Sequence, residues 1–136
     1  MKKTISYFSL AILVSIMFSS LVFALTIGES VPFVLYEGQY LDKKESLSKG
    51  YVGTTAEFFE TKDTTAGISI SKDRVLLGKK LLKRCNVDVK VNHIYTCKYT
   101  KEQSSGMYIG TVVRNSGNDN SGEIKGHFYL RSDKTA

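Results

Sequence analysis

The residues of this chain best suited to chemistry lie in one short stretch, RCNVDVKVNHIYTCKYT, at positions 84–100. It holds both cysteines, Cys85 and Cys97, and one of the two histidines, His93. A thiolate activated by an imidazole is a nucleophile, and thiolates together with imidazoles are zinc ligands. Two thiols in an oxidising compartment instead form a disulfide. The spacing of the residues and the compartment decide between these three possibilities.

The parity of the two cysteines favours a disulfide. If the stretch folds back on itself about Val91, Cys85 and Cys97 lie opposite each other on one face of an antiparallel pair of strands. Cβ atoms in such pairs are about 4.5–5.5 Å apart, which is close to what a disulfide requires. The chain also has an even number of cysteines and an apparent export signal. We therefore predict a bridge between Cys85 and Cys97.

The metal and nucleophile alternatives fit the spacing less well. A set made of Cys85, His93, Cys97 and His127 lacks the closely paired halves that preorganise a tetrahedral zinc site. A bridged sulfur is not a nucleophile, and His127 falls on the polar face of its strand, where we expect a solvated imidazole. The chain also lacks the Gly-x-Ser-x-Gly motif of many hydrolases. We therefore predict no metal, no cofactor and no enzymatic activity.

The N-terminal segment, MKKTISYFSLAILVSIMFSSLVFA, has the pattern of a secretory signal peptide. A basic start is followed by an apolar run, and Val22 and Ala24 are the small residues at positions −3 and −1 of a cleavage site. We predict cleavage after Ala24, a single mature domain at residues 25–136, and a bacterial periplasmic or secreted location. No transmembrane segment remains after this cleavage, whereas an uncleaved membrane anchor is the alternative.

The mature region reads as β-rich. Residues 123–131, EIKGHFYLR, place Ile124, Phe128 and Leu130 on one face of a strand and mostly polar residues on the other. Residues 115–122 are rich in Asn, Gly, Ser and Asp, so they predict a loop before this strand. Further β-prone runs punctuated by glycine raise the count to five or six short strands. This pattern predicts a small antiparallel β-sandwich or barrel with at most one short helix.

The segment KDRVLLGKKLLKR, residues 72–84, breaks the alternating pattern. Leu77 and Leu81 are four residues apart, so a short amphipathic helix at about residues 73–84 is one interpretation, with Asp73 near its N-cap. Gly78 in its middle is unfavourable for a helix and supports a hairpin that turns at Gly78 and Lys79. Both interpretations stay open from the sequence.

The same segment carries most of the excess positive charge. Its six basic residues and one acidic residue give +5, whereas the mature chain carries +4, because two of the 19 basic residues leave with the signal and all 13 acidic residues stay. Lys79, Lys80, Lys83 and Arg84 therefore predict a docking surface for an anionic envelope component or an acidic protein. The alternative is a solvated face without a binding role, whose long side chains cover the leucines.

These features predict a non-catalytic binding or accessory protein, such as a factor of a surface structure, an inhibitor or an immunity protein. The predicted compartment, and not the chemistry of the chain, disfavours nucleic acid, so we predict no nucleic-acid partner. The alternative is a secreted effector, either a glycan-binding or toxin-associated module or a hydrolase with an unrecognised site. The tyrosines and the loop at residues 115–122 are a second candidate contact surface, since such residues make adaptable polar contacts in binding loops.

Overall fold

Two antiparallel β-sheets packed against each other, and not closed into a barrel, form the protein. The computed structural model describes residues 24–60, 64–115 and 123–136. In chain order the strands are β1 (Ala24–Ile27), β2 (Val31–Leu35), β3 (Tyr40–Leu47), β4 (Tyr51–Glu60), β5 (Thr65–Arg74), β6 (Gly78–Asp88), β7 (Ile94–Lys98), β8 (Gly106–Arg114) and β9 (Ile124–Asp133). The prediction of a mainly β fold is confirmed, and of the two architectures it is the sandwich.

One edge of each sheet is formed by a strand from the middle of the chain, β6 in one sheet and β7 in the other. The first sheet, sheet A, has the order β1-β9-β4-β7, and β2 pairs with β9 beside β1. The second, sheet B, has the order β3-β8-β5-β6. Strands β6 and β7, which follow each other in the chain, are therefore the edge strands of different sheets.

Alternation of apolar and polar residues explains the strands, and β9 shows it best. Ile124, Phe128 and Leu130 are fully buried on one face together with Gly126, while Lys125, His127 and Tyr129 on the other face are half-buried. This is the face predicted from the sequence for residues 123–131. The loop predicted at residues 115–122 falls almost entirely outside the described residues.

The core between the sheets is built largely from aromatic and branched aliphatic side chains. The rings of Phe33 and Phe58 lie 5.7 Å apart in an edge-on arrangement, and Phe128 lies 6.1 Å from Phe33. Ile68 and Ile70 of β5 are buried against them from sheet B. These buried side chains hold β5 against the core, whereas its hairpin partner β6 is an edge strand of sheet B.

The helix predicted at about residues 73–84 is wrong, because this segment is a β-hairpin. Strand β5 runs to Arg74 and β6 starts at Gly78, with Arg74 opposite Gly78 in the register. The hairpin alternative is correct, although the turn occupies residues 75–77, just before the predicted position. A helix would need Leu77 and Leu81 on a buried stripe, yet both side chains are exposed.

The predicted disulfide between Cys85 and Cys97 is present, with a Cα–Cα distance of 5.7 Å. The predicted route is wrong, since the stretch does not fold into an antiparallel pair about Val91. Cys85 lies opposite Ile68 in sheet B, and Cys97 lies opposite Thr54 in sheet A. The chain crosses from one sheet to the other between them, so the bridge joins the two layers.

The predicted signal peptide lies outside the described residues, apart from its last residue, Ala24, which begins β1. Within the described ranges, which start at residue 24, the structure contains no helix with the length and apolar character to cross a membrane.

Candidate functional site

The hairpin of β5 and β6 ends in a three-residue loop, residues 75–77, which we call the tip. Gly78 follows the tip with a φ of 76°, in the left-handed region that glycine adopts at little cost. A three-residue turn closed by a left-handed residue is a common hairpin connection. The sequence VLLG therefore forms a turn here because Gly78 supplies the backbone conformation that closes it.

The tip consists of three apolar side chains that face solvent. Val75 is 98% exposed, Leu76 is 94% exposed and Leu77 is 74% exposed. Leu81, further along β6, is also exposed. Burying a leucine typically stabilises a protein by about 1.5–3 kcal/mol, and these residues gain none of that in the free domain. Their exposure is therefore unexplained by folding.

Arg74 holds the backbone of the turn. Its Nε donates a hydrogen bond to the carbonyl of Gly78 at 3.2 Å, and its second guanidinium nitrogen donates to the carbonyl of Leu77 at 3.1 Å. The neighbouring Asp73 forms an ion pair with Lys44 of β3, with 3.0 Å between the carboxylate oxygen and the ammonium nitrogen. The acidic residue beside the turn is thus paired with a lysine outside the hairpin, and the turn has internal partners for two carbonyl groups.

The four basic residues predicted to bind an anionic partner divide between two faces of β6. Lys79 and Arg84 line a groove on the outer face of sheet B. Lys80 and Lys83 are their chain neighbours and point to the opposite side, because successive side chains of a strand alternate. In the described part of the chain, neither Lys80 nor Lys83 forms an ion pair. The structure therefore brings together two pairs, not one cluster of four.

The groove on the outer face of sheet B is open and has a volume of about 400 Å³. Asp42 at its floor accepts a hydrogen bond from the Thr111 hydroxyl at 2.5 Å and lies 3.9 Å from the Lys79 ammonium. The Arg84 guanidinium donates to the Asn115 side-chain oxygen at 3.1 Å. Tyr40 lies at the rim with 66% of its surface exposed. The groove thus offers donors, an acceptor and an aromatic ring.

Gly67 shapes this groove. An added Cβ there would lie 2.9 Å from a guanidinium nitrogen of Arg84 and 2.8 Å from the side chain of Val113. The absence of a side chain lets the guanidinium lie over the β5 backbone. Arg84 is therefore held against the sheet and does not extend freely into solvent.

The cysteines and histidines do not converge on a reactive site. Both sulfurs are bonded to each other, so neither is a free thiolate. His93 lies in an exposed turn with its Nδ1 3.0 Å from the Val91 carbonyl oxygen. His127 lies 3.4 Å from a Glu57 carboxylate oxygen and packs on the Phe59 ring. Within residues 24–60, 64–115 and 123–136, no cluster of three or more His, Cys, Asp or Glu side chains suits a metal ion.

Comparison with known proteins gives no family for this chain. No protein-family model matches it, and no curated protein matches it. Among solved structures it is similar to PirA, with 12% identity, a TM-score of 0.43 and coverage of 76% of this chain and 92% of PirA. A protein from Sulfurospirillum deleyianum gives 9% identity, a TM-score of 0.44 and coverage of 75% and 97%. The third is TmCBM61, solved in complex with β-1,4-galactotriose, at 18% identity, a TM-score of 0.39 and coverage of 76% and 70%.

Sequence reasoning missed two parts of this site. The groove combines Tyr40 and Asp42 of β3 with Thr111 of β8 and Arg84 of β6, and no local pattern links residues so far apart in the chain. The exposed tip was hidden because its leucines fit a helical stripe and were expected to pack. The one usable signal was Gly78, which favours a turn directly after three apolar residues.

Proposed function

We propose that this chain is an exported, non-catalytic binding protein that docks an anionic partner through the β5–β6 hairpin and the adjoining outer face of sheet B. One observation carries the proposal: the basic residues of β6 lie on an exposed edge strand, where few carboxylates balance them. Lys79 faces Asp42, and Arg84 hydrogen-bonds the neutral side chain of Asn115. Such a surface attracts anions and speeds their encounter with the protein.

The disulfide supports the exported location in this proposal. Disulfides persist in oxidising compartments and are rare in the cytosol, and Cys85 and Cys97 are joined. Together with the predicted signal peptide, this favours the periplasm or the extracellular space. The partner is then an anionic envelope component or an acidic protein.

The test compares two pairs of charge reversals in binding to isolated cell-envelope fractions. We expect Lys79→Glu/Arg84→Glu to weaken binding by at least about tenfold and to flatten its salt dependence, since exposed charges act over about 8 Å at physiological ionic strength. The Lys80→Glu/Lys83→Glu variant tests whether the basic residues on the opposite side of β6 contribute to binding. Lys90→Glu/Lys134→Glu is the matched control, because it changes the net charge equally at exposed positions that belong neither to the tip nor to the lining of the groove.

The variants separate the candidate functions. Loss of binding in both hairpin pairs, with the control unchanged, supports docking of an extended anionic surface. Loss in the Lys79 and Arg84 pair alone indicates a ligand held in the groove beside Tyr40, as the alternative of a glycan-binding module requires. Binding that is insensitive to salt and unaffected by either pair contradicts the proposal and moves the contact to the tyrosines and the loop at residues 115–122.

A further inference from the structure

The tip of the hairpin combines features that point to a lipid bilayer. Its three consecutive side chains, Val75, Leu76 and Leu77, are all largely exposed. Apolar residues scattered singly over a surface are normal, whereas a contiguous exposed apolar patch indicates an interaction site. Short apolar elements of this kind gain free energy when they enter the boundary between lipid headgroups and acyl chains.

Basic residues border the apolar tip on both strands. Arg74 precedes it directly, and Lys79 and Lys80 follow one residue after its end. Asp73, the only acidic residue nearby in sequence, is neutralised by Lys44 at 3.0 Å. An apolar end with a basic collar matches an anionic membrane, where acyl chains lie beneath a layer of phosphate groups.

The backbone of the turn is also suited to a site with little water. A carbonyl that loses its water without gaining another partner opposes insertion into lipid. Arg74 donates hydrogen bonds to the carbonyls of Leu77 and Gly78 at 3.1 and 3.2 Å, so two groups of the turn already have partners. The same guanidinium lies at the level where lipid phosphates would meet it.

The tip also extends beyond the rest of sheet B. The pairing of β8 with β5 ends where Tyr108 lies opposite Lys72, and β8 and β3 continue beside the hairpin to Gly106 and Leu47, so only the turn at residues 75–77 lies past the end of the sheet. The two steps from Arg74 to Leu76 span up to about 7 Å at the rise of a β-strand. Peripheral apolar elements enter a membrane by roughly 5–10 Å, so the tip reaches this depth without the sheet itself entering.

We propose that residues 75–77 insert into the outer layer of an anionic lipid bilayer while Arg74, Lys79 and Lys80 contact the phosphates. This inference rests on the proposed function and names its anionic partner as a lipid surface. The hairpin therefore acts as a membrane anchor for a domain that has its core outside the bilayer.

A tryptophan reporter tests insertion directly, because the chain contains no tryptophan. Leu76→Trp places the reporter in the tip, and Ile94→Trp places it at another exposed apolar position, in β7. With vesicles that contain phosphatidylglycerol, we expect the emission of Leu76→Trp to move to shorter wavelength and to be quenched by brominated lipid. Ile94→Trp should show neither change, and pure phosphatidylcholine vesicles should give a much weaker response.

A second pair of variants tests whether the tip supplies affinity. Leu76→Ser/Leu77→Ser should reduce co-sedimentation with the anionic vesicles by at least about tenfold, given the gain from burying even part of two leucines. Ile94→Ser is the matched control and should bind like the unmodified chain. Thermal melting checks that each variant is folded, and these exposed positions should leave it nearly unchanged.

The results distinguish this inference from the proposed function. If charge reversal at Lys79 and Arg84 abolishes envelope binding while the Leu76→Trp reporter stays in water, insertion is overturned and anionic docking stands. If the serine variant binds anionic vesicles as well as the unmodified chain, insertion is likewise overturned. If the reporter enters anionic vesicles but charge reversal changes neither vesicle nor envelope binding, the tip inserts and electrostatic docking fails.

Discussion

At Gly126 the backbone of β9 lies so close to the neighbouring strand that only glycine fits. Gly126 is paired with Phe58 on β4 and with Phe33 on β2, and both phenylalanines belong to the core. A Cβ at this position would collide with the backbone carbonyl oxygen of Glu57 and approach the Phe33 ring to 2.9 Å. A backbone group cannot rotate away as a side chain can, so the strand itself would have to move.

We therefore expect Gly126→Ala to lower the free energy of unfolding by about 1–3 kcal/mol, the usual cost of overpacking a core. Gly106→Ala is the matched control, because a Cβ there meets no atom within 4 Å. That variant should lie within about 0.5 kcal/mol of the unmodified chain. Urea denaturation of the two variants measures both values, and equal stabilities would contradict the close approach of β9 and β4.

At the scale of strands, the disulfide ties together one edge strand of each sheet. Cys85 belongs to β6, an edge strand of sheet B, and Cys97 belongs to β7, an edge strand of sheet A. Edge strands have unpaired backbone groups and separate from a sheet more easily than central strands. The bridge keeps β6 in place, and with it the hairpin that carries the basic residues and the tip.

Removal of this bridge should lower the free energy of unfolding by about 2–4 kcal/mol, because it frees a loop of the unfolded chain. We expect Cys85→Ser/Cys97→Ser to melt at a lower temperature, and a reducing agent to lower the melting temperature of the unmodified chain but not of this variant. Thiol titration of the denatured, unreduced protein should find no free thiols. Two free thiols would contradict the bridge and reopen the metal and nucleophile alternatives.

The strands could be predicted from the sequence where one face of the strand is buried. In β9 the alternation of Ile124, Phe128 and Leu130 with polar residues has a single explanation, and the structure agrees. In the β5–β6 hairpin the same reasoning fails, since the first four residues of β6, Gly78 to Leu81, are all exposed and no buried face imposes a period of two there. Local spacing then resembles a helix, and only pairing with β5 decides the outcome.

The candidate site could be predicted only in part, for a related reason. The basic residues were visible because all four lie within six positions of the chain, but strand alternation separates Lys79 from Lys80 and Lys83 from Arg84. Which of them share a face depends on the register of β6, and this register contains an irregularity near Ile70 and Ser71. The groove depends further on the order of strands in sheet B, which no local pattern encodes.

For the whole molecule, the described chain begins and ends side by side. Ala24 lies opposite Asp133 where β1 pairs with β9. The predicted cleavage after Ala24 would leave Thr26 and Ile27 paired with β9, so removal of the signal peptide costs the sheet little.

We expect the exported protein to have the intact mass of residues 25–136, with Leu25 as its first residue. Ala24→Arg should block processing, because a signal peptidase requires a small residue at position −1. Mass spectrometry of the periplasmic and secreted fractions checks both forms. An intact chain of 136 residues held in the membrane fraction would show that the N-terminal segment is an anchor.

The bridge between β6 and β7 also changes what a protease can do to this molecule. Lys90, Val91, Asn92 and His93 are all exposed and lie between the two bonded cysteines. Exposed turns of this kind are preferred sites of proteolytic nicking. A single cut there would leave one piece with β6 and the other with β7, still joined through Cys85 and Cys97. The nicked chain would separate into fragments only after reduction, so outside the cell this loop can be cleaved without releasing the hairpin.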